Sequence, residues 1–335
     1  MPTIGGNQAT IVHVAKRTDP DGSIAAVAEL LNQSNEVIPD VPFIEGNLPT
    51  GHRATIRTGL PQIYFRRLNQ GIRPSKSTTA QVDETTCMME ARSQIDLDLA
   101  MLNGNTAEWR ASENKPFIES MGQSFVSKLF YGNVGSEPET FSGLATRYSD
   151  ATNALNKENI VLGGSAAGQT DNTSIWLVGW GEQTIYGIYP KGSVAGLQHR
   201  DLGETDAFDA TDNNSRYRAL IDWYQWKCGL VVKDWRFAVR IANIDVSNLT
   251  SQANQADLLE LMAVAVDKIP KDMGASARLC FYANRTVRTI LRIQCMNRPN
   301  VYLTVGNEEG APKLSFDGIS IKLVDQILNN EARVA

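Results

Sequence analysis

Residues 46–102 read GNLPTGHRATIRTGLPQIYFRRLNQGIRPSKSTTAQVDETTCMMEARSQIDLDLAML, and the charges in this stretch are sorted by sign. From Gly46 to Val82 there is no acidic residue, whereas Arg53, Arg57, Arg66, Arg67, Arg73 and Lys76 are basic. From Asp83 to Asp98 the sign reverses, with Asp83, Glu84, Glu90, Asp96 and Asp98 set against Arg92. His52–Thr58, Gln62–Leu68 and Thr78–Met89 alternate β-branched or apolar residues with polar ones, which predicts strands. Gly59-Leu60-Pro61, Gly71 and Pro74-Ser75 punctuate them as turns. A long, two-sided hairpin with few large apolar residues buries no core of its own, so it is expected to project and to need a neighbour.

Working outward, residues 1–45 read as an extended arm. Asp21-Gly22-Ser23 caps a short helix whose apolar positions are Ile24, Val27, Ala28, Leu30 and Leu31, and Pro39 and Pro42 force extended backbone after it. Beyond a break at Asn103-Gly104-Asn105, the spacing predicts a helix over 115–131. Phe117, Met121, Phe125 and Leu129 form its apolar stripe, Asn114 its cap, and Pro116 falls in the first turn. Residues 137–148 read as a loop anchored by Phe141, 153–172 as irregular surface, 174–189 as a hairpin and 203–214 as an acidic flexible loop. The run 216–244 carries Trp223, Trp226, Trp235 and Phe237 and predicts two long strands divided near Lys233-Asp234, their aromatics filling a sheet core. Helices are predicted over 257–269 and from Asn284, the second with Arg285, Arg288 and Arg292 on one face; short strands are predicted at 301–305 and 319–324. Helices and hairpins are segregated and do not alternate, which makes the class α+β.

The 335 residues are ordinary in composition, with 42% apolar and 21% charged, and a net charge of −5 lacks the basic footprint of a nucleic-acid or anionic-membrane binder. No apolar run of about 18 residues and no signal-like N-terminus is present, so export and membrane insertion are not expected. Cys87, Cys228, Cys280 and Cys295 contain no Cys-x-x-Cys pair and read as buried small hydrophobes in a reducing compartment.

Catalytic motifs fail in turn. GGSAAG (163–168) departs from the dinucleotide fingerprint at its third position and lacks the strand and helix that would aim it. Ser112 and Lys115 have Ser-x-x-Lys spacing without the accompanying motifs. His13, His52 and His199 lie far apart, which supports neither a zinc site nor a triad, and acidic pairs such as Asp96/Asp98 and Glu308/Glu309 read as solvated surface. No catalytic residue, cofactor or metal ligand is assigned, and an enzyme is not expected. The Arg helix and the basic half of the hairpin leave a nucleic-acid-binding or other oligomeric interaction protein as the alternative.

The order of these parts, together with LPQIYFRRLNQGI (60–72), PSKSTTAQVDETTCMMEARSQID (74–96), EPETFSGLATRY (137–148), TSIWLVGWGEQTIYGIYPKGS (173–193) and RIANID (240–245), resembles the major capsid proteins of tailed bacteriophages, in a subgroup of short-tailed phage coats. The resemblance implies an HK97-like fold. Residues 1–45 would be its N-terminal arm, 46–102 its extended loop or E-loop, 103–148 the P-domain spine helix and following loop, 149–297 mainly the A-domain, with β-rich segments shared with the P-domain, and 298–335 the C-terminal strands. It further implies a coat protein without enzymatic activity that assembles in the bacterial host cytoplasm into pentamers and hexamers of an icosahedral virion shell. Double-stranded DNA would be enclosed without sequence-specific binding, with scaffolding, portal and decoration or cement proteins as partners and no membrane. Contact between subunits would then fall to Arg53, Arg57, Arg66, Arg67, Arg73, Lys76, Asp83, Glu84 and Glu90 of the E-loop and to the N-arm. Lys76 lies where some such coats crosslink, although no partner Asn or acidic catalyst is identifiable.

Overall fold

The apolar runs at 172–189 and 238–245 become strands with nearly every residue buried, and the chain is built around them. The structure, a computed structural model, describes residues 33–102, 106–166, 168–209, 215–251, 256–270, 277–296, 303–308 and 311–334. In chain order the strands are β1 (Phe43–Glu45), β2 (Gly51–Gly59), β3 (Thr78–Asp96), β4 (Ile160–Leu162), β5 (Asn172–Trp180), β6 (Ile185–Tyr189), β7 (Leu197–Phe208), β8 (Arg216–Val232), β9 (Ala238–Asp245), β10 (Arg278–Ala283), β11 (Leu303–Glu308), β12 (Ala311–Phe316) and β13 (Ile319–Leu323). The helices are α1 (Leu97–Ala100), α2 (Thr106–Tyr131), α3 (Leu144–Arg147), α4 (Val246–Ser251), α5 (Leu258–Lys268) and α6 (Arg285–Met296). The α+β class holds.

The chain divides into two compact units. The larger takes residues 34–87, 126–193 and those from 228 onward. Its sheet centres on β5, with β10 antiparallel along one edge and β9 antiparallel along the other. The hairpin expected over 174–189 is therefore absent. The place a hairpin partner would take beside β5 is filled by β9, and β6 meets β5 only at the parallel pair Trp180 and Ile185. β6 pairs antiparallel with β8 and parallel with β1. The C-terminal strands join through β13, parallel to β10, with β12 and β11 beyond it; β12 lies between the two short strands read from the sequence.

The smaller unit takes residues 88–125 and 194–227. β7 and β8 form a long antiparallel ladder, from Leu197 with Trp226 to Phe208 with Arg216, so residues 203–208 are strand where a loop was expected. Trp109 packs in a buried cluster with Ile95, Leu99 and Ala100. That anchor explains why α2 begins at Thr106 and not at Lys115. Asn114, expected as its cap, instead donates Nδ2–H to Asp222 Oδ2 (2.8 Å), and Pro116 lies in the helix interior. At 26 residues α2 spans roughly 39 Å. Along the expected stripe Met121, Phe125 and Leu129 are buried and Phe117 is half-buried.

The hairpin stretch also differs in two respects. Gln62–Leu68 is not a strand, since residues 60–77 make no ladder, while β3 runs on past Met89 to Asp96. The arm helix, apart from Gln33, and the break at 103–105 lie outside the described residues. Pro39 sits in a single 3-10 turn, 38–40, and the described residues of 153–172 are irregular except for a 3-10 turn at 157–159, β4 and Asn172, which opens β5.

Within the larger unit Arg240 and Glu331 form an ion pair with both partners buried. Arg240 Nη2 donates to Glu331 Oε2 (2.8 Å), Nη1 to the Tyr148 carbonyl (2.8 Å) and Nε to Ser174 Oγ (3.1 Å). Glu331 also accepts from the hydroxyls of Tyr131 and Ser174. Burial, then the Glu331 charge, pushes the Tyr131 hydroxyl well above its usual value, so it stays a donor. Every charge in the cluster is satisfied, and removing one partner leaves the other buried and unpaired. Arg240→Met is expected to cost roughly 3–5 kcal/mol in a denaturant-unfolding experiment, and Arg240→Met with Glu331→Gln less than the single change.

Candidate functional site

The hairpin consists of a ladder fixed at its base and a free tip. β2 and β3 pair antiparallel from Gly51 with Thr85 to Gly59 with Thr78, with a bulge between Arg57 and Gly59. Two glycines let the base close. A Cβ on Gly51 would lie 2.1 Å from the Glu84 carbonyl oxygen, and one on Gly46 would lie 2.5 Å from that of Gly51. Asn47 clamps the start of β2, its Oδ1 accepting from Arg53 N (2.7 Å) and its Nδ2 donating to Arg53 O (2.9 Å). Ala54 then packs with Tyr186, Ile188, Val231 and Ile44, which seats the ladder on the sheet of the larger unit. His52 Nε2 lies 3.1 Å from the Tyr186 hydroxyl, and burial lowers its pKa.

The sorted charges are partly spent inside the chain. Arg53 stands opposite Asp83 in the ladder and grips it with two bonds, Nε to Oδ1 (2.6 Å) and Nη2 to Oδ2 (2.7 Å). That bond raises the arginine pKa and lowers the aspartate pKa, while both groups stay exposed. Glu84, 7% exposed, is held by Arg147 of α3 through two bonds of 2.6 Å. Its carboxylate is thus taken up by its own chain. Glu90, in the smaller unit, accepts from Gln225 Nε2.

Beyond Arg53 the compensation stops. Among the described residues Arg57, Arg66, Arg67, Arg73 and Lys76 have no carboxylate partner; Arg66 Nη1 reaches the Gln70 carbonyl (3.4 Å), and Gln70 Oε1 accepts from Arg67 N (3.4 Å). Between these cations stand Leu60, Ile63, Phe65, Leu68 and Ile72, all exposed, with Phe65 at 101%. The expectation of a thin apolar surface is corrected here: the apolar residues are present and face solvent, because a segment without ladder partners has nothing among the described residues to bury them against. A monomer seldom gathers so many large apolar side chains outward without a partner for them.

The remaining candidates do not converge on a site. His13 and Glu309 lie outside the described residues, and nothing is described of the Glu308 side chain. His199 Nε2 lies 2.7 Å from Asp222 Oδ1, a buried carboxylate that also accepts from Arg110 and Asn114. Burial by itself would raise the Asp222 pKa, but the bonds from Asn114, His199 and Arg110 outweigh it and hold the pKa low. Asp96 caps α1, accepting from Asp98 N (2.9 Å) and Leu99 N (3.4 Å). The GGSAAG segment is tied to β9, Gly163 N donating to the Ala242 carbonyl (2.7 Å) and Ser165 N to that of Asn243 (3.1 Å). Arg285, Arg288 and Arg292 do share a face of α6, yet Arg285 is paired with Asp325 (2.9 Å) and Arg288 lies 4.0 Å from Glu36. Among the described residues no cluster of His, Cys, Asp and Glu could hold a metal, and no helix is long and apolar enough to cross a membrane. The residue signal that sequence reading passed over is the apolar one, interleaved with the arginines of LPQIYFRRLNQGI.

Comparison with known proteins points to one family. Among curated proteins none is similar enough to count as a relative. Among solved structures, a chain from the cryo-EM structure of bacteriophage Epsilon15 is 34% identical, covers 100% of this chain and 99% of its own length, and superposes with a TM-score of 0.79. The bacteriophage JBD30 capsid is 8% identical, with 89% of this chain and 92% of that chain covered and a TM-score of 0.48. The family model described as major capsid protein GP7 matches residues 19–335. The chain belongs to this family of major capsid proteins, the shell-forming coats of tailed phages, with the α+β capsid fold.

Proposed function

We propose that residues 60–77 are the segment by which each coat subunit grips the next, and that the grip is chiefly apolar. The observation that carries this is the run of exposed Leu60, Ile63, Phe65, Leu68 and Ile72 at the end of a ladder whose base is fixed. Burying one such side chain contributes about 1.5–3 kcal/mol, whereas an exposed ion pair contributes roughly 0–1 kcal/mol. The apolar residues therefore supply most of the attraction. The unpaired Arg57, Arg66, Arg67, Arg73 and Lys76 select the register by the carboxylates they meet on a neighbour. Asp83 and Glu90 are secondary contacts, and Arg53 and Glu84 support the ladder through Asp83 and Arg147. Repetition over a shell converts weak single contacts into a stable whole.

In the same reading residues 103–148 are the P-domain, with α2 as its spine helix, and residues 149–297 are mainly the A-domain that gathers into pentamers and hexamers. The virion shell encloses double-stranded DNA without sequence-specific binding. Assembly takes place in the host cytoplasm with scaffolding and portal proteins, the coat itself performing no chemical reaction.

The base and the tip separate experimentally. Arg147→Ala leaves Glu84 buried without its partner and is expected to cost roughly 3–5 kcal/mol in chemical unfolding of the monomer. Phe65→Ser, or Arg66→Glu with Arg67→Glu, is expected to leave the monomer unfolding transition unchanged. Each tip variant is expected to weaken subunit association at least about tenfold, read as particle yield by sedimentation and electron microscopy. Wild-type particle yield and heat resistance in both tip variants would refute the reading.

A further inference from the structure

Two cysteines far apart in sequence meet at the base of the hairpin. Cys87 on β3 and Cys228 on β8 are both buried, and their sulfurs are 3.6 Å apart. The strands approach closely at this point, since a Cβ added to Gly229 would lie 2.7 Å from the Thr85 carbonyl oxygen. Cys280 has Ser320 Oγ at 3.6 Å, and Cys295 is half-buried; among the described residues neither touches a second sulfur.

The geometry points to Cys87 and Cys228 as an oxidant-responsive pair that closes into a disulfide, joining the second strand of the hairpin to β8 beside it. Sulfurs already in contact need to approach by roughly 1.5 Å to reach the bonded distance of about 2.05 Å. A rotation of the two side chains supplies a movement of that size. The two thiols are also unequal. The hydrogen bond from the Cys228 thiol lowers the pKa of Cys87, against the opposing effect of burial, and the same bond pushes Cys228 well above its usual value. Cys87 is thus the sulfur that ionises first and attacks.

With hydrogen peroxide as oxidant the steps balance. The Cys87 thiolate attacks one peroxide oxygen, the O–O bond breaks, and Cys87 sulfenic acid and hydroxide form. The Cys228 sulfur then attacks the Cys87 sulfur, the S–O bond breaks, and the Cys228 proton leaves with that oxygen as water. Each sulfur loses one electron and peroxide gains two. Such a pair stays open where thiols are kept reduced and closes in oxidising surroundings. A link between positions 141 apart restrains the unfolded chain strongly, so the oxidised form resists heat better.

The test is thiol mapping on the full-length protein with and without hydrogen peroxide, by alkylation after denaturation and then peptide mass analysis. The expected result is the loss of two of the four alkylatable cysteines. The peptides holding Cys87 and Cys228 should be joined within one chain, dithiothreitol should restore both thiols, and the thermal midpoint should rise on oxidation and fall on reduction. Cys280→Ala should leave this unchanged, while Cys228→Ala should leave Cys87 as a sulfenic acid that dimedone traps. Four alkylatable thiols after treatment, a bridge through Cys280 or Cys295, a link between subunits, or Cys87 oxidised to the sulfinic acid without a bridge would each overturn the assignment. The mapping on unmutated protein decides the matter even if Cys228→Ala does not fold.

Discussion

The antiparallel ladder of β2 and β3 is the constraint on which the working part of this protein depends, because it holds a segment in place that has no reason of its own to be ordered. Its base is over-determined: Gly46 and Gly51 permit backbone contact that no side chain would allow, Asn47 closes both backbone groups of Arg53, and Arg147 reaches in to hold Glu84. Eight positions of β2 find partners on β3, and then the ladder ends at Gly59. Past Gly59 the chain keeps its apolar residues in water. A shell subunit needs this combination, a rigid mount and an unsatisfied end, since a tip that packed well on its own chain would have nothing left to offer a neighbour.

Polar chemistry within the chain serves placement. The Arg240–Glu331 pair ties the C-terminal stretch to β9, and Asn172 reinforces it by accepting from the Glu331 amide (2.8 Å). Asp222 gathers Arg110, Asn114 and His199 in the smaller unit and so ties α2 to the β7–β8 ladder. Buried charges of this kind contribute little net stability when complete and cost several kcal/mol when broken. They fix which arrangement is adopted more than how strongly.

Local pattern made much of this legible. The Phe117, Met121, Phe125 and Leu129 stripe and the helix starts near Asp257 and Asn284, where Asp257 accepts from Glu260 N and Asn284 from Val287 N, are decided within one or two turns of chain. The features that escaped depend on distant partners. Nothing near 174–189 tells that β9 will occupy the flank of β5, and nothing near Ser112 tells that Trp109 will be buried and draw α2 back to Thr106. The charge sorting of the hairpin was plain, but its meaning was not. Arg53 and Asp83 neutralise each other across strands, which only the register reveals, and the apolar residues of the tip read as strand interior until the ladder is seen to stop short of them.

The central claim is that the tip is exposed in the free subunit and covered in the shell. Hydroxyl-radical footprinting of the same protein before and after assembly measures this directly at Tyr64 and Phe65, aromatic side chains that report their own contact with water. The account predicts strong modification of Phe65 in the free subunit and a several-fold drop in the shell, with Trp176, buried in the sheet core, low in both. Equal modification of Phe65 in the two states would contradict it.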